Sequence, residues 1–256
     1  MRGGLKKKIS KKSLSFSIIT PVLNDKRIIN VIKSLKKQTY KNFEHIIIDG
    51  GSNPSIIKIL KKNNKNINIW VSKKDGGIYD AINKGIKMSS GDIVGILNAD
   101  DIYFSKTLKI AKYYFENNKI DFLFGTVIKD RLLHGFWPKK IWWKFNIYPT
   151  HSCGFFIKRK IHKKLGLYNT KFKYSADRDF IFKLIKKNYK GVCTNKNEIF
   201  GKFYTKGISS QVGYLRRIFE EFHIRLSHKQ NIFFLFGLLI LTLLNKIYNY
   251  FFKGLK

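Results

Sequence analysis

Five aspartates stand where a carboxylate can do chemistry: Asp49, Asp80, Asp100, Asp101 and Asp177. Carboxylates are scarce, 11 Asp and 5 Glu in 256 residues, so their positions are informative. Asp100 and Asp101 close the run Leu97-Asn98-Ala99-Asp100-Asp101, directly after an apolar stretch. Two adjacent carboxylates beside a buried strand are costly unless they hold a cation or accept hydrogen bonds. Their hard oxygens suit Mg2+ or Mn2+ shared with a diphosphate. A turn or helix cap is the plainer use of the same residues. Asp80, Asn83 and Lys84 follow Gly76-Gly77 at i, i+3 and i+4, on one side of a helix. They present an acceptor, an amide and a cation to a polar ligand, or an ordinary solvated face. Asp177 and Asp179, in Ser175-Ala176-Asp177-Arg178-Asp179, open another helix. A carboxylate there complements the helix dipole.

The elements that must position these residues alternate. Phe16 to Leu23, Phe43 to Ile48, Ile67 to Ser72 and Asp92 to Leu97 read as buried strands. Pro21 is expected to end the pairing of the first. Helices are expected at Lys26–Gln38, Pro54–Lys62 (capped by Ser52 or Asn53), Ile78–Met88 and from a Ser105 cap to about Glu116. This order predicts an α/β fold with a largely parallel sheet, whose ligands bind beyond the carboxyl ends of the strands. Beyond Ile120 the spacing predicts one strand-like run through Ile128, an aromatic irregular stretch to Pro149, a strand at Phe155–Ile157, and helices at Arg159–Leu165 and Asp179–Lys187.

The chain carries 51 Lys and Arg against 16 Asp and Glu, a net charge of +35. The aromatic content of 15% excludes a disordered chain. The lysines are spread over the whole length, and 43 Lys, 36 Ile and 20 Asn against four Ala point to AT-rich codon usage. A basic nucleic-acid-binding protein is the alternative that the charge offers, and it needs a concentrated basic stripe. No nucleic-acid partner is expected here. Cys153 and Cys193 form no CxxC pair, which argues against a disulfide framework or a thiolate zinc site. Met1 to Lys12 is basic with no apolar segment and cleavage site behind it, so no secretory signal is expected.

Ser17-Ile18-Ile19-Thr20-Pro21, Asn24, Gln38-Thr39-Tyr40 and Ile48-Asp49-Gly50-Gly51-Ser52 together resemble the opening of glycosyltransferase family 2. GIYDAINKG followed by GDIVGILNADD is similar to a bacterial subset that builds surface polysaccharides, lipopolysaccharide among them. The resemblance covers about residues 15–210. It implies a GT-A fold, a nucleotide-sugar donor and inversion at the anomeric carbon. By that resemblance Pro21 and Asn24 lie beside the nucleotide and Asp49 hydrogen-bonds the base, uracil. Asp80, Asn83 and Lys84 lie near the donor, and Asp100 is the metal-binding member of the DxD motif. That motif reads Asn98-Ala99-Asp100 here, with an amide for its first carboxylate; Asp101 can compensate. Asp177 matches the general base, although Ala176 stands where the family usually has Glu. His151 matches a position near the acceptor and the donor phosphates, and Trp137 can stack on an acceptor sugar or pack the domain. Asn98 and Ala176 leave open a transferase-like fold without catalysis. The processive QxxRW signature is absent, since Gln211 is followed by Val-Gly-Tyr-Leu, which implies single addition.

The expected organisation is a basic flexible arm over 1–15, a GT-A domain over 16–210 with donor half 16–128 and acceptor half 129–210, and a helical hydrophobic tail over 211–256. Ile232 to Leu244 is nearly all apolar for thirteen residues, short of the ~18–20 that span hydrocarbon. It can lie in the membrane interface, insert as a marginal span or pack as a core or dimer helix. Arg216, Arg217 and Arg225 just upstream suit anionic lipid. The expected setting is the cytoplasmic face of a bacterial inner membrane, with a lipid-linked or glycan acceptor; the oligomeric state stays open.

Overall fold

The computed structural model describes residues 1–5, 9–143, 152–204 and 213–253. Within the stretch expected to be a flexible arm, Arg2–Gly3 (β1) pairs antiparallel along the sheet edge, Arg2 opposite Val71. Then follow β2 (Phe16–Val22), α1 (Ile28–Lys36), β3 (Phe43–Asp49), α2 (Pro54–Lys62), β4 (Ile69–Ser72), α3 (Ile78–Met88) and β5 (Ile93–Ile96). Next come β6 (Ile102–Tyr103), α4 (Thr107–Asn117), β7 (Phe122–Phe124), β8 (Thr126–Ile128) and β9 (Leu132–Leu133). The remaining elements are β10 (Phe155–Lys158), α5 (Arg159–Leu165), α6 (Ala176–Lys186), β11 (Gly191–Cys193), β12 (Ile199–Lys202), α7 (Tyr214–Ser227) and α8 (Ile232–Lys253).

The main sheet has the order β1-β4-β3-β2-β5-β10-β7-β11. Its β4-β3-β2-β5 half is parallel, as the alternation of strands and helices requires. All seven residues of β2 are buried because helices cover both faces. Phe16 and Ile18 pack with α1, α2 and α4, while Ile19 packs with α3 and α6 on the other face. Pro21 does not end the strand. The β2–β5 ladder stops at Ile19, but pairing with β3 continues to Val22 opposite Asp49. The missing N–H of proline thus falls outside the β5 ladder.

Asn53 caps α2, its side chain accepting from the Ser55 N–H, and Pro54 fills the first turn. Ser105 does not cap α4, which starts at Thr107 after Lys106 with no side-chain cap. The run expected as one strand after Ile120 splits at Gly125: β7 stays in the main sheet and β8 joins a second sheet of order β6-β12-β8-β9. A Cβ at Gly125 would lie 2.2 Å from the Phe200 ring, so the corner needs glycine. This second sheet closes over the carboxyl end of β5, where the paired aspartates sit.

The tail is two helices. α7 packs on α6 and α8 packs back on α7, with Leu235 buried and Phe222 and Phe236 in ring contact at 5.4 Å. Among the described residues no helix is long and apolar enough to cross a membrane.

Candidate active site

Beyond the carboxyl ends of β2 and β5 lies a cleft of about 520 Å³. One wall is the end of β2 and the loop after it, with Pro21, Asn24, Asp25 and Arg27; the floor is Asn98 and Asp100 after β5. The opposite side is the start of α3, with Gly77, Tyr79 and Asp80, and the start of α6, with Asp177. Six of the expected residues therefore meet in one place: Pro21, Asn24, Asp80, Asn98, Asp100 and Asp177.

Local backbone explains how they arrive there. Asn24 takes a left-handed φ of 53°, which Asn tolerates better than most residues. Its N–H donates to Ser52 Oγ at 2.7 Å and its Oδ1 accepts from Asn53 N at 2.9 Å, so the loop is braced against the cap of α2. Gly77 has φ 114° with open space where a Cβ would be, so its conformation, not crowding, demands glycine. That turn starts α3 inside the cleft. Asp80 accepts from Gly76 N at 2.9 Å and pairs with Lys84 at 2.8 Å. Those bonds, the backbone one first, hold its carboxyl below the usual range.

The acidic pair divides its work. Asp100 is half-buried in the cleft, and burial raises its carboxyl against the pull of Arg27. Asp101 is fully buried, faces away and accepts from Asn98 Nδ2 and Tyr204 N, both at 3.3 Å. Burial, then the neighbouring Asp100 charge, pushes its carboxyl well up. Asp101 therefore joins the floor to the strand β12 side and does not line the cleft.

Other expected residues also lie outside the lining. Asp49 is fully buried, with Ser52 N at 3.1 Å, Ser52 Oγ and Ser72 Oγ at 2.6 Å on its carboxylate. Through Ser52 it supports the Asn24 loop. Asn83 is buried under the cleft, donating to Tyr168 O at 2.8 Å and accepting from Tyr168 N at 3.0 Å. Lys84 serves Asp80. Trp137 is exposed, with Lys140 over its ring at 4.5 Å. His151 lies outside the described residues, as do Gly207-Ile208-Ser209 and Gln211.

Two residues that pattern reading passes over turn out to be central. Tyr79 donates to Asp177 Oδ1 at 2.8 Å, joining the starts of α3 and α6. Arg27 forks onto Asp25, with Nε at 2.9 Å and Nη2 at 2.6 Å, and reaches to 3.6 Å from Asp100. Tyr79 reads as one more aromatic on a helix. Arg27 did carry a signal: the chain has eight Arg against 43 Lys, so an arginine marks a place where a charge alone is not enough.

A hard cation takes oxygen ligands. Asp100 offers a carboxylate, and Asn98 Oδ1 is a buried oxygen with no hydrogen-bond partner among the described residues. These donors fit Mg2+ or Mn2+, with most of the coordination left for a ligand and water. No cluster of three or more His, Cys, Asp or Glu forms a metal cage among the described residues.

A parallel nucleotide-type half-sheet, a second sheet over its end, and carboxylates on both walls of one cleft define a GT-A glycosyltransferase domain. The family model for glycosyl transferase family 2 matches residues 17–175, and the chain belongs to that family. It is 31% identical over 175 residues to a PGL/p-HBAD biosynthesis glycosyltransferase of Mycobacterium bovis, covering 64% of this chain and 67% of that protein. S. aureus TarS 1-349, solved in complex with UDP-GlcNAc, is similar with TM-score 0.64 and 17% identity over 83% of this chain and 66% of that one. The mannosyltransferase PcManGT from Pyrobaculum calidifontis, solved with GDP-Man and Mn2+, gives TM-score 0.61 and 16% identity over 86% and 65%. The chain thus spans less than two thirds of either solved chain, and the likeness to them is one of fold.

Proposed function

We propose that this glycosyltransferase moves one sugar per turnover, with inversion, from a UDP-sugar to a hydroxyl of a glycan or lipid-linked acceptor. One observation carries it: Asp177 faces Asp100 and Asn98 from the other side of a single cleft. The complexes of TarS with UDP-GlcNAc and of PcManGT with GDP-Man support a nucleoside-diphosphate donor. The choice of uridine rests on the TarS complex with UDP-GlcNAc, since the buried Asp49 lies outside the cleft lining.

Asp177 takes the proton of the acceptor hydroxyl, and Tyr79 holds its carboxylate in the required direction. The hydroxyl oxygen bonds to the anomeric carbon from the face opposite the diphosphate. The bond from that carbon to the diphosphate oxygen breaks, and the nucleoside diphosphate leaves with the electron pair. Asp100 and Asn98 would hold a divalent cation that neutralises the leaving group when bound.

The acceptor is assigned to a membrane surface, the cytoplasmic face of a bacterial inner membrane, in cell-surface polysaccharide synthesis. α8 supports this, because Phe233 (82%), Leu241 (65%) and Ile240 (56%) are exposed on it. Arg216 and Arg217 on α7 are exposed too. An apolar helix beside cations lies in the interface plane of anionic lipid.

The test is release of nucleoside diphosphate from UDP-GlcNAc, UDP-Glc, UDP-Gal and GDP-Man with Mn2+, by wild type and by Asp177→Asn. Release by the wild type alone is expected. Equal release by both, with every donor, overturns the assignment.

A further inference from the structure

Arg27 and Lys173 are the cations among the described residues that line the cleft. Their surroundings differ. Lys173 is exposed, whereas Arg27 is built in. Asp25 accepts the Arg27 backbone N–H at 2.9 Å and takes the Nε and Nη2 edge of its guanidinium at 2.6–3.1 Å. This fixes the plane of the guanidinium one residue before α1. The Nη1 group has no hydrogen-bond partner among the described residues, and the side chain is 39% exposed towards the cleft.

The same Nη2 lies 3.6 Å from Asp100 Oδ2. That distance is an ion pair without a hydrogen bond, so the contact is the weaker of the two. A nucleoside diphosphate entering here meets Asp100 on the floor. Without a cation between them the two anions repel. Arg27 already occupies that place, and a planar fork matches phosphate oxygens two at a time. The motif that normally supplies two carboxylates supplies one, because Asn98 is an amide. The floor therefore holds less negative charge to recruit a metal and less to overcome with one.

We propose that Arg27 is a ligand of the donor diphosphate: in the empty site its guanidinium neutralises Asp100, and on donor entry it keeps Asp25 and exchanges Asp100 for phosphate. The exchange leaves Asp100 open to a divalent cation. Asp25 is the positioning residue, since its carboxylate holds the Nε and Nη2 edge of the fork. The proposal rests on the glycosyltransferase reading and specifies how that site takes its donor without metal.

The experiment is calorimetric titration of the full chain with UDP, GDP and uridine, in EDTA and then in Mn2+, for wild type, Arg27→Gln and Arg27→Lys. Wild type is expected to bind a nucleoside diphosphate in EDTA. Arg27→Gln should weaken that binding about 10- to 100-fold, the value of one charged hydrogen-bonding partner, and leave uridine unchanged. Arg27→Lys retains the charge without the fork and should fall between. Mn2+ should narrow the gap between Arg27→Gln and wild type. Equal UDP affinity of Arg27→Gln and wild type in EDTA overturns the proposal. So does a wild type that binds only with Mn2+, a result that leaves the glycosyltransferase reading intact. A wild type that binds no nucleoside diphosphate in either condition overturns both. Thermal midpoints confirm that each variant is folded, and Arg27→Lys carries the test if Arg27→Gln is not.

Discussion

The hydroxyl of Tyr79 donates to Oδ1 of Asp177 at 2.8 Å, joining two residues 98 positions apart. Tyr79 lies in the first turn of α3, and Asp177 in the first turn of α6. The same hydroxyl lies 3.3 Å from Tyr174 O, so it also ties down the loop that precedes α6. On the proposed mechanism this bond aims the base, so α3 and α6 set its geometry together.

Replacing Tyr79 by Phe should therefore lower kcat about tenfold, the value of one lost hydrogen bond, with little change in donor affinity. Steady-state kinetics and UDP titration separate the two. Asp177→Asn should lower kcat by about 10²–10⁴ at unchanged UDP affinity. A matching fall in UDP affinity would place Asp177 in donor binding instead.

Asn83 is predicted to act through stability. Removing its amide leaves Tyr168 N–H and C=O buried without partners, each costing ~1–3 kcal/mol. Asn83→Ala should lose about 2–6 kcal/mol in urea unfolding, with turnover of the folded fraction retained. Loss of donor affinity at unchanged stability would contradict this.

Acid stability should follow two buried histidines. Burial lowers His45 to about 3 and His162 to about 4, well below the unfolded value of 6.5. The unfolded chain then binds more protons, so stability is full above pH 6.5 and falls as pH drops towards the folded values. While both contribute, the slope is about 1.4 kcal/mol per pH unit for each. His162 stacks on Phe180 and both its ring nitrogens lack partners among the described residues. His162→Phe should raise the thermal midpoint relative to wild type at pH 5 and much less at pH 8.

For the tail, the double variant Phe233→Ser/Leu241→Ser should reduce co-flotation with vesicles containing anionic lipid. Both side chains are exposed, so the thermal midpoint should change little. Unchanged flotation would move the membrane contact elsewhere.

Much of the scaffold was legible because its signals are local. Pro54 and Asn53 mark α2, and the apolar spacing of α3 and α5 gives their observed bounds. Asn24 and Asp100 were legible because ligands gather at strand ends, Asp80 from the helix face after Gly76-Gly77, and Asn98 and Asp177 from the family resemblance. What escaped is long-range. The switch of sheets at Gly125 depends on Phe200, far along the chain. The burial of Asp49 and Asp101 depends on Ser72 and Tyr204, which no spacing connects to them. The meeting of Tyr79 with Asp177 needs the two halves already folded.

The contacts of α7 set where the molecule can be shortened. Glu221 takes Arg178 at 3.1 Å and the buried Arg225 at 3.2 Å, Glu220 accepts from Tyr174 N, and His228 holds Asp179 at 2.8 Å. Arg178, Tyr174 and Asp179 sit on or beside the first turn of α6, where Asp177 lies. Cutting the chain before α7 would take Glu221 from Arg178 and His228 from the buried Asp179, the residues that follow Asp177. A water-soluble catalytic fragment for crystallisation should instead end after Gln230, which itself accepts from Arg225 at 2.9 Å.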